Sequence, residues 1–223
     1  MRKLLIVIIG LISINIAIGQ DKMIVDKPFN GNTHYSRFSE HIDSLSILPP
    51  VIQFNLRGYL NRILGTMSDS VSFSHGQIVD LENKFKEDSV TYGYGWIVPK
   101  YDLNFILCDN SIGIRRYYLQ IRLDKYGQIL YANWPKEYHS DKNRFKNRSD
   151  IERFALKQAK IKGFELNDYK VDFKYNEKLD KLCWVFKFPV KIERNRQEYD
   201  ALEIPWNYIE VIDEYKTVTS TVY

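Results

Sequence analysis

The chain has 223 residues, 44% hydrophobic and 27% charged, and a formal net charge of only +4. That length can bury the core of one domain or of two small ones. So small a positive excess makes nucleic acid a poor candidate partner.

Arg2 and Lys3 precede an apolar run, Leu4–Ala17, which passes through Ile18 and Gly19 to Gln20. A basic start, a hydrophobic stretch and small residues before the cut form a secretory signal peptide, with cleavage expected after Gly19. The competing reading is a membrane anchor. Against it, the run falls short of the about 20 apolar residues a bilayer span needs, and Ser13 and Asn15 interrupt it. No cysteine follows the run, which disfavours a lipoprotein anchor. The mature chain is therefore expected in the periplasm or outside the cell, without a transmembrane segment. Loss of Arg2 and Lys3 halves its net charge. Residues 20–48 are polar and turn-rich and read as an N-terminal arm.

Pro49-Pro50 opens the first helix, since a proline is tolerated in a first turn whose N–H groups are unpaired anyway. Val51, Phe54, Tyr59, Ile63 and Leu64 recur at near-helical spacing, and Gly65 supplies the stop. The period then shortens to two. Val71–Phe73 and Ile78–Val79 read as short strands with His75 at the turn between them, and Thr91–Val98 reads as extended. Leu103–Cys108 is apolar on both faces, as a central strand is. Tyr117–Leu123 alternates and turns at Asp124-Lys125-Tyr126-Gly127 into Gln128–Tyr131, a hairpin.

Residues 133–148 form a polar, basic linker. Ser149-Asp150-Ile151-Glu152 reads as a capping box for a helix with Ile151, Phe154, Ala155 and Ala159 on one face, ending near Gly163. Three β-like runs follow, Lys170–Tyr175, Cys183–Val190 and Trp206–Ile212, with Thr217–Thr219 as a terminal strand. The fold class expected is α+β, with helices packed on a curled antiparallel sheet, as a first half (49–132) and a second half (149–223). Val71-Ser72-Phe73 resembles Val171-Asp172-Phe173, and Leu123-Asp124-Lys125-Tyr126 resembles Ile212-Asp213-Glu214-Tyr215. Internal duplication and coincident β composition both explain these matches.

Over residues 149–219, the order is a helix with Ala155 and Ala159, then Gly163, Val171–Phe173, Trp184-Val185-Phe186 and Tyr208–Asp213. This pattern resembles the exported PepSY-type modules and, more loosely, cystatin-like folds. Lys216 stands where such a module has the glycine of its last turn; the first half keeps that glycine as Gly127. The resemblance implies a helix across a curled sheet, repeated as tandem halves, and restraint of a partner enzyme in the cell envelope. The Tyr-, Asn-, Lys- and Ile-rich exported chain also resembles secreted proteins of the Bacteroidota.

No motif assigns a catalytic residue, a cofactor or a metal. His34, His41, His75 and His139 lack metal-ligand spacing, and Ser74-His75 has no nucleophile elbow around it. Asp109, at a strand end, suits turn formation or a cation. Cys108 and Cys183 lie in apolar β-like runs, so an export route allows a disulfide, and two buried thiols are the alternative. Two surfaces are candidates for binding. One is the strip Tyr92, Tyr94 and Trp96, whose rings share one face above Gly93 and Gly95. The other is the basic set Lys142, Arg144, Lys146 and Arg148, suited to steering an acidic partner.

The functional expectation is a non-enzymatic binding protein acting by protein–protein contact, as an inhibitor or immunity-type antagonist, its partner a protein of the envelope or the exterior. Carbohydrate or envelope-polymer binding through the aromatic strip is the alternative. A hydrolase would need a cleft that holds His75 beside an acidic group.

Overall fold

Pro50 does start the first long helix, α1 (Pro50–Leu64), in a computed structural model that describes residues 36–87, 98–136, 144–193 and 196–220. Its buried face differs from the one the spacing predicts. Ile52, Leu56, Ile63 and Leu64 face the core, whereas Val51 and Phe54 are 59% and 71% exposed. Two apolar stripes coexist on this helix, and the sheet beneath it selects one.

The first sheet is an antiparallel meander of β1 (Ser39–Ile42), β2 (Val71–Val79), β3 (Tyr101–Asp109), β4 (Ile114–Leu123) and β5 (Ile129–Ala132), in that spatial order. β1 falls within the stretch that reads as an arm, so the sheet begins before residue 49. β3 is central, as expected, and sends Tyr101, Leu103, Phe105 and Leu107 into the core. β2 is one strand where the sequence suggests two. A bulge between Phe73 and His75 breaks its register without ending it, so His75 lies exposed in mid-strand and not at a turn. A short helix, α2 (Leu81–Glu87), follows β2.

The second sheet, β6 (Lys170–Asn176), β7 (Lys181–Glu193), β8 (Arg196–Pro205) and β9 (Asp213–Ser220), is again antiparallel and in sequence order. The strand after β7 is Arg196–Pro205, and the predicted run Trp206–Ile212 is irregular. The polar start of β8 concealed it. Helix α3 (Arg148–Lys162) buries Ile151, Ala155 and Ala159. Its small alanines let the helix lie close to Leu202 and Ile204 of β8, which share its cluster. Asn147, not Ser149, caps it, accepting from the Ser149 N–H at 2.8 Å; Glu152 accepts instead from the Tyr169 hydroxyl at 2.6 Å.

The two sheets share one hydrophobic core. Rings run across the seam: Trp134 to Tyr117 at 5.9 Å, Tyr117 to Phe173 at 5.6 Å and Phe173 to Trp184 at 4.7 Å between centroids. Phe145 packs at a tilt against Trp206, 4.4 Å between centroids, so both ends of the basic linker are built into the core. Among the described residues, no helix is long and apolar enough to cross a membrane. Cys108 is exposed and Cys183 buried, and both are free thiols, so no disulfide joins them.

Candidate functional site

Where the sheets meet, β4 of the first and β6 of the second border a groove of about 590 Å³. β6 is the outer strand of its sheet. β4 pairs with β5 only over Ile121–Leu123, so its first half, from Ile114, has no strand on that side among the described residues.

The register of β4 shifts between Leu107 and Asp109 of β3, leaving Arg115 and Arg116 opposite Cys108 alone. This bulge breaks the alternation: Ile114 and Tyr117 are buried while both arginines between them are exposed. The two guanidinium groups thereby come to line the groove. Arg116 lies over the Tyr118 ring, 5.6 Å from its centroid.

Arg148, the first residue of α3, closes one end. Its stem rests on Gly113, where an added Cβ would stand 2.7 Å from Arg148 Cδ; Gly113 also has φ +82°, which L side chains rarely adopt. The Arg148 guanidinium lies 5.0 Å from the Trp184 ring centre and only 3.8 Å from Glu152. Two buried donors here, Arg148 Nε and Trp184 Nε1, have no hydrogen-bond acceptor among the described residues. A second hollow of about 550 Å³ shares Gly113, Arg115 and Arg148 with the groove and adds Lys146.

On the β6 side, Lys174 is committed elsewhere. Its ammonium pairs with Glu203 and bonds to the Tyr215 hydroxyl at 2.8 Å. Glu203, 1% exposed, also accepts from Asn176 at 2.6 Å and from Tyr215 at 2.8 Å. Burial pushes its carboxyl pKa up, but the bonds from Lys174, Asn176 and Tyr215 outweigh that and hold it below the ordinary value. Asp172 is paired with Lys187. At the floor, burial first and the neighbouring Tyr131 and Tyr175 second push the Tyr117 hydroxyl far above its ordinary value, and it donates to the Asn133 carbonyl.

Of the residues singled out in the sequence, Tyr92, Tyr94, Trp96 and Lys142 lie outside the described residues. Lys146 and Arg148 come together around Arg115, while Arg144 is exposed and does not line either hollow. Sequence reasoning missed Arg115, Arg116, Phe173 and Trp184. The signal was present in Ile114-Arg115-Arg116-Tyr117, where two successive charges interrupt a strand's alternation. Asp109 caps the turn before β4, accepting from the Ser111 N–H at 3.1 Å. Among the described residues, no three His, Cys, Asp or Glu side chains gather as a metal site. Compared with known proteins, the chain matches no family model, no curated protein and no solved structure.

Proposed function

We propose that this chain is an exported, non-enzymatic binding protein that acts by protein–protein contact, as an inhibitor or antagonist does, with the groove between the sheets as its docking site. The observation that carries the reading is the pair of strand edges, the first half of β4 and β6, that flank the groove with no strand on that side among the described residues. Such edges offer backbone donors and acceptors to a guest polypeptide. The aromatic seam beneath them is a stiff floor, which lowers the ordering cost of binding.

The likeness to PepSY-type modules belongs to this proposal, as does the tandem arrangement. Supporting both, a 15-residue helix precedes a four-strand antiparallel meander twice, α1 before β2–β5 and α3 before β6–β9. The matching segments at Val71 and Val171 lie at the starts of β2 and β6, the strands that follow the two helices. Export to the periplasm or exterior rests on residues 1–19 as read from the sequence. The carbohydrate alternative rests on Tyr92, Tyr94 and Trp96, outside the described residues.

The test is parallel affinity capture from envelope and culture fractions with residues 20–223 and with the same chain carrying Arg116→Glu and Tyr118→Glu. Both positions are exposed, so the variant is expected to fold. One protein retained stoichiometrically by the native chain and lost by the variant is the expected result. A protein retained equally by both places the contact elsewhere, and bound glycan without protein favours the carbohydrate alternative.

A further inference from the structure

Building on that protein-binding reading, we propose that the groove takes an extended acidic segment of its partner, which adds along the open half of β4 and seats a carboxylate among Arg115, Arg148 and the Trp184 indole N–H. Three independent observations converge on this. Trp184 is only 3% exposed and lines the groove, yet its Nε1 has no acceptor among the described residues, and neither has the buried Arg148 Nε. Buried donors of this kind are nearly always paired in native proteins, and an acceptor brought in by a guest, with a small shift of Arg148, would pair these two; a third such donor, Trp134 Nε1, does not line the groove.

The second observation is charge. Arg115 and Arg116 line the groove with Arg148, and Lys146 joins Arg115 and Arg148 in the adjoining hollow. The carboxylates in reach are Glu152, 3.8 Å from Arg148, Asp172, already paired with Lys187, and Glu177 at the other flank. The balance around Arg115 is therefore cationic, and a guanidinium pairs best with a planar carboxylate.

The third is the strand edge. An isolated anion would need only the arginines, whereas the unpaired length of β4 beside them fits a chain running through the groove and pairing backbone to backbone. An acidic residue within an extended segment satisfies the edge and the orphan donors together.

The experiment is selection of random linear peptides against the full mature chain, followed by affinity measurement on Arg115→Gln, Arg148→Gln and, as a control, Arg153→Gln. Arg153 is an exposed cation of the same helix, paired with Asp150 at 2.8 Å. Enriched peptides should share an Asp or Glu and bind the Arg115 and Arg148 variants about ten- to a hundred-fold more weakly, as loss of a charged hydrogen bond requires, with Arg153→Gln unchanged. Peptides that bind the groove without an acidic residue, or bind Arg148→Gln as tightly as the native chain, overturn this inference alone. Weakening by Arg153→Gln to the same degree reduces the effect to general charge and also overturns it. Failure to enrich any peptide overturns the protein-binding reading with it.

Discussion

Asn133 bonds to Gln120 as though its side chain were one more residue of a strand. Its Oδ1 accepts from the Gln120 N–H at 2.7 Å and its backbone N–H donates to the Gln120 carbonyl at 3.3 Å. Its Nδ2 also donates to the Tyr118 carbonyl at 2.7 Å. This amide finishes the work of β5 on β4 and fixes where the open edge begins. Asn133→Ala removes two of these bonds and should cost about 1–2 kcal/mol. The Gln120 amide should exchange with solvent markedly faster, which hydrogen exchange resolves by residue.

Gly113 and Gly163 form a natural pair for comparison. Both have positive φ, +82° and +76°, but an added Cβ meets Arg148 at Gly113 and nothing within 4 Å at Gly163. Gly163→Ala should therefore cost only the backbone penalty, about 1 kcal/mol. Gly113→Ala should cost about 1–2 kcal/mol more, because Arg148 must shift. Urea denaturation of both variants gives the difference. Equal losses would show that the contact with Arg148 is without consequence.

The Glu203 clasp makes stability depend on pH at both ends. The carboxyl is held below its ordinary 4.5, so its contribution is full above that value and is lost as pH falls through the lower folded value. For Lys174, burial alone would lower the pKa, but its bonds to Glu203 and Tyr215 raise it above 10.5. That contribution is full below 10.5 and disappears as pH rises through the higher folded value. Glu203→Gln should lower stability near neutrality by on the order of 2–3 kcal/mol and flatten the acid limb of a Tm–pH curve. Lys174→Met should flatten the alkaline limb.

The two thiols should react in sequence. Cys108 is exposed on β3, while burial foremost, and then the Glu203 charge, push the Cys183 thiol up to about 12. An aromatic disulfide reagent should label one thiol promptly in the native protein and the second only on unfolding. Two thiols labelled at the same rate would contradict the burial of Cys183.

The elements with strong local signals were legible before the fold was seen. α1 starts at Pro50, α3 runs to Gly163, the Asp124 turn joins β4 to β5, and β3 is a central strand. The failures share a cause in tertiary choice. α1 carries two apolar stripes, and nothing in its own residues says that Ile52 and Leu56 win over Val51 and Phe54. Asn147 and Ser149 are both good caps two positions apart, and the helix closes on Asn147. The bulges at Ser74 and at Arg115-Arg116 were missed because each adds one residue to an alternation that pattern reading assumes to be unbroken, although the two successive charges of Arg115-Arg116 mark the second. Of the basic set around the two hollows, Lys146 and Arg148 were among the residues singled out in the sequence. The rest of the set comes from β4, remote in sequence and brought near only when the sheets share a core.

The ring series from Trp134 through Tyr117 and Phe173 to Trp184 couples the two sheets. A substitution that enlarges one ring must be answered by a neighbour on the other side of the seam. Divergence here is expected to proceed by matched steps, and neither half could be transplanted into another protein without leaving a bare aromatic face behind.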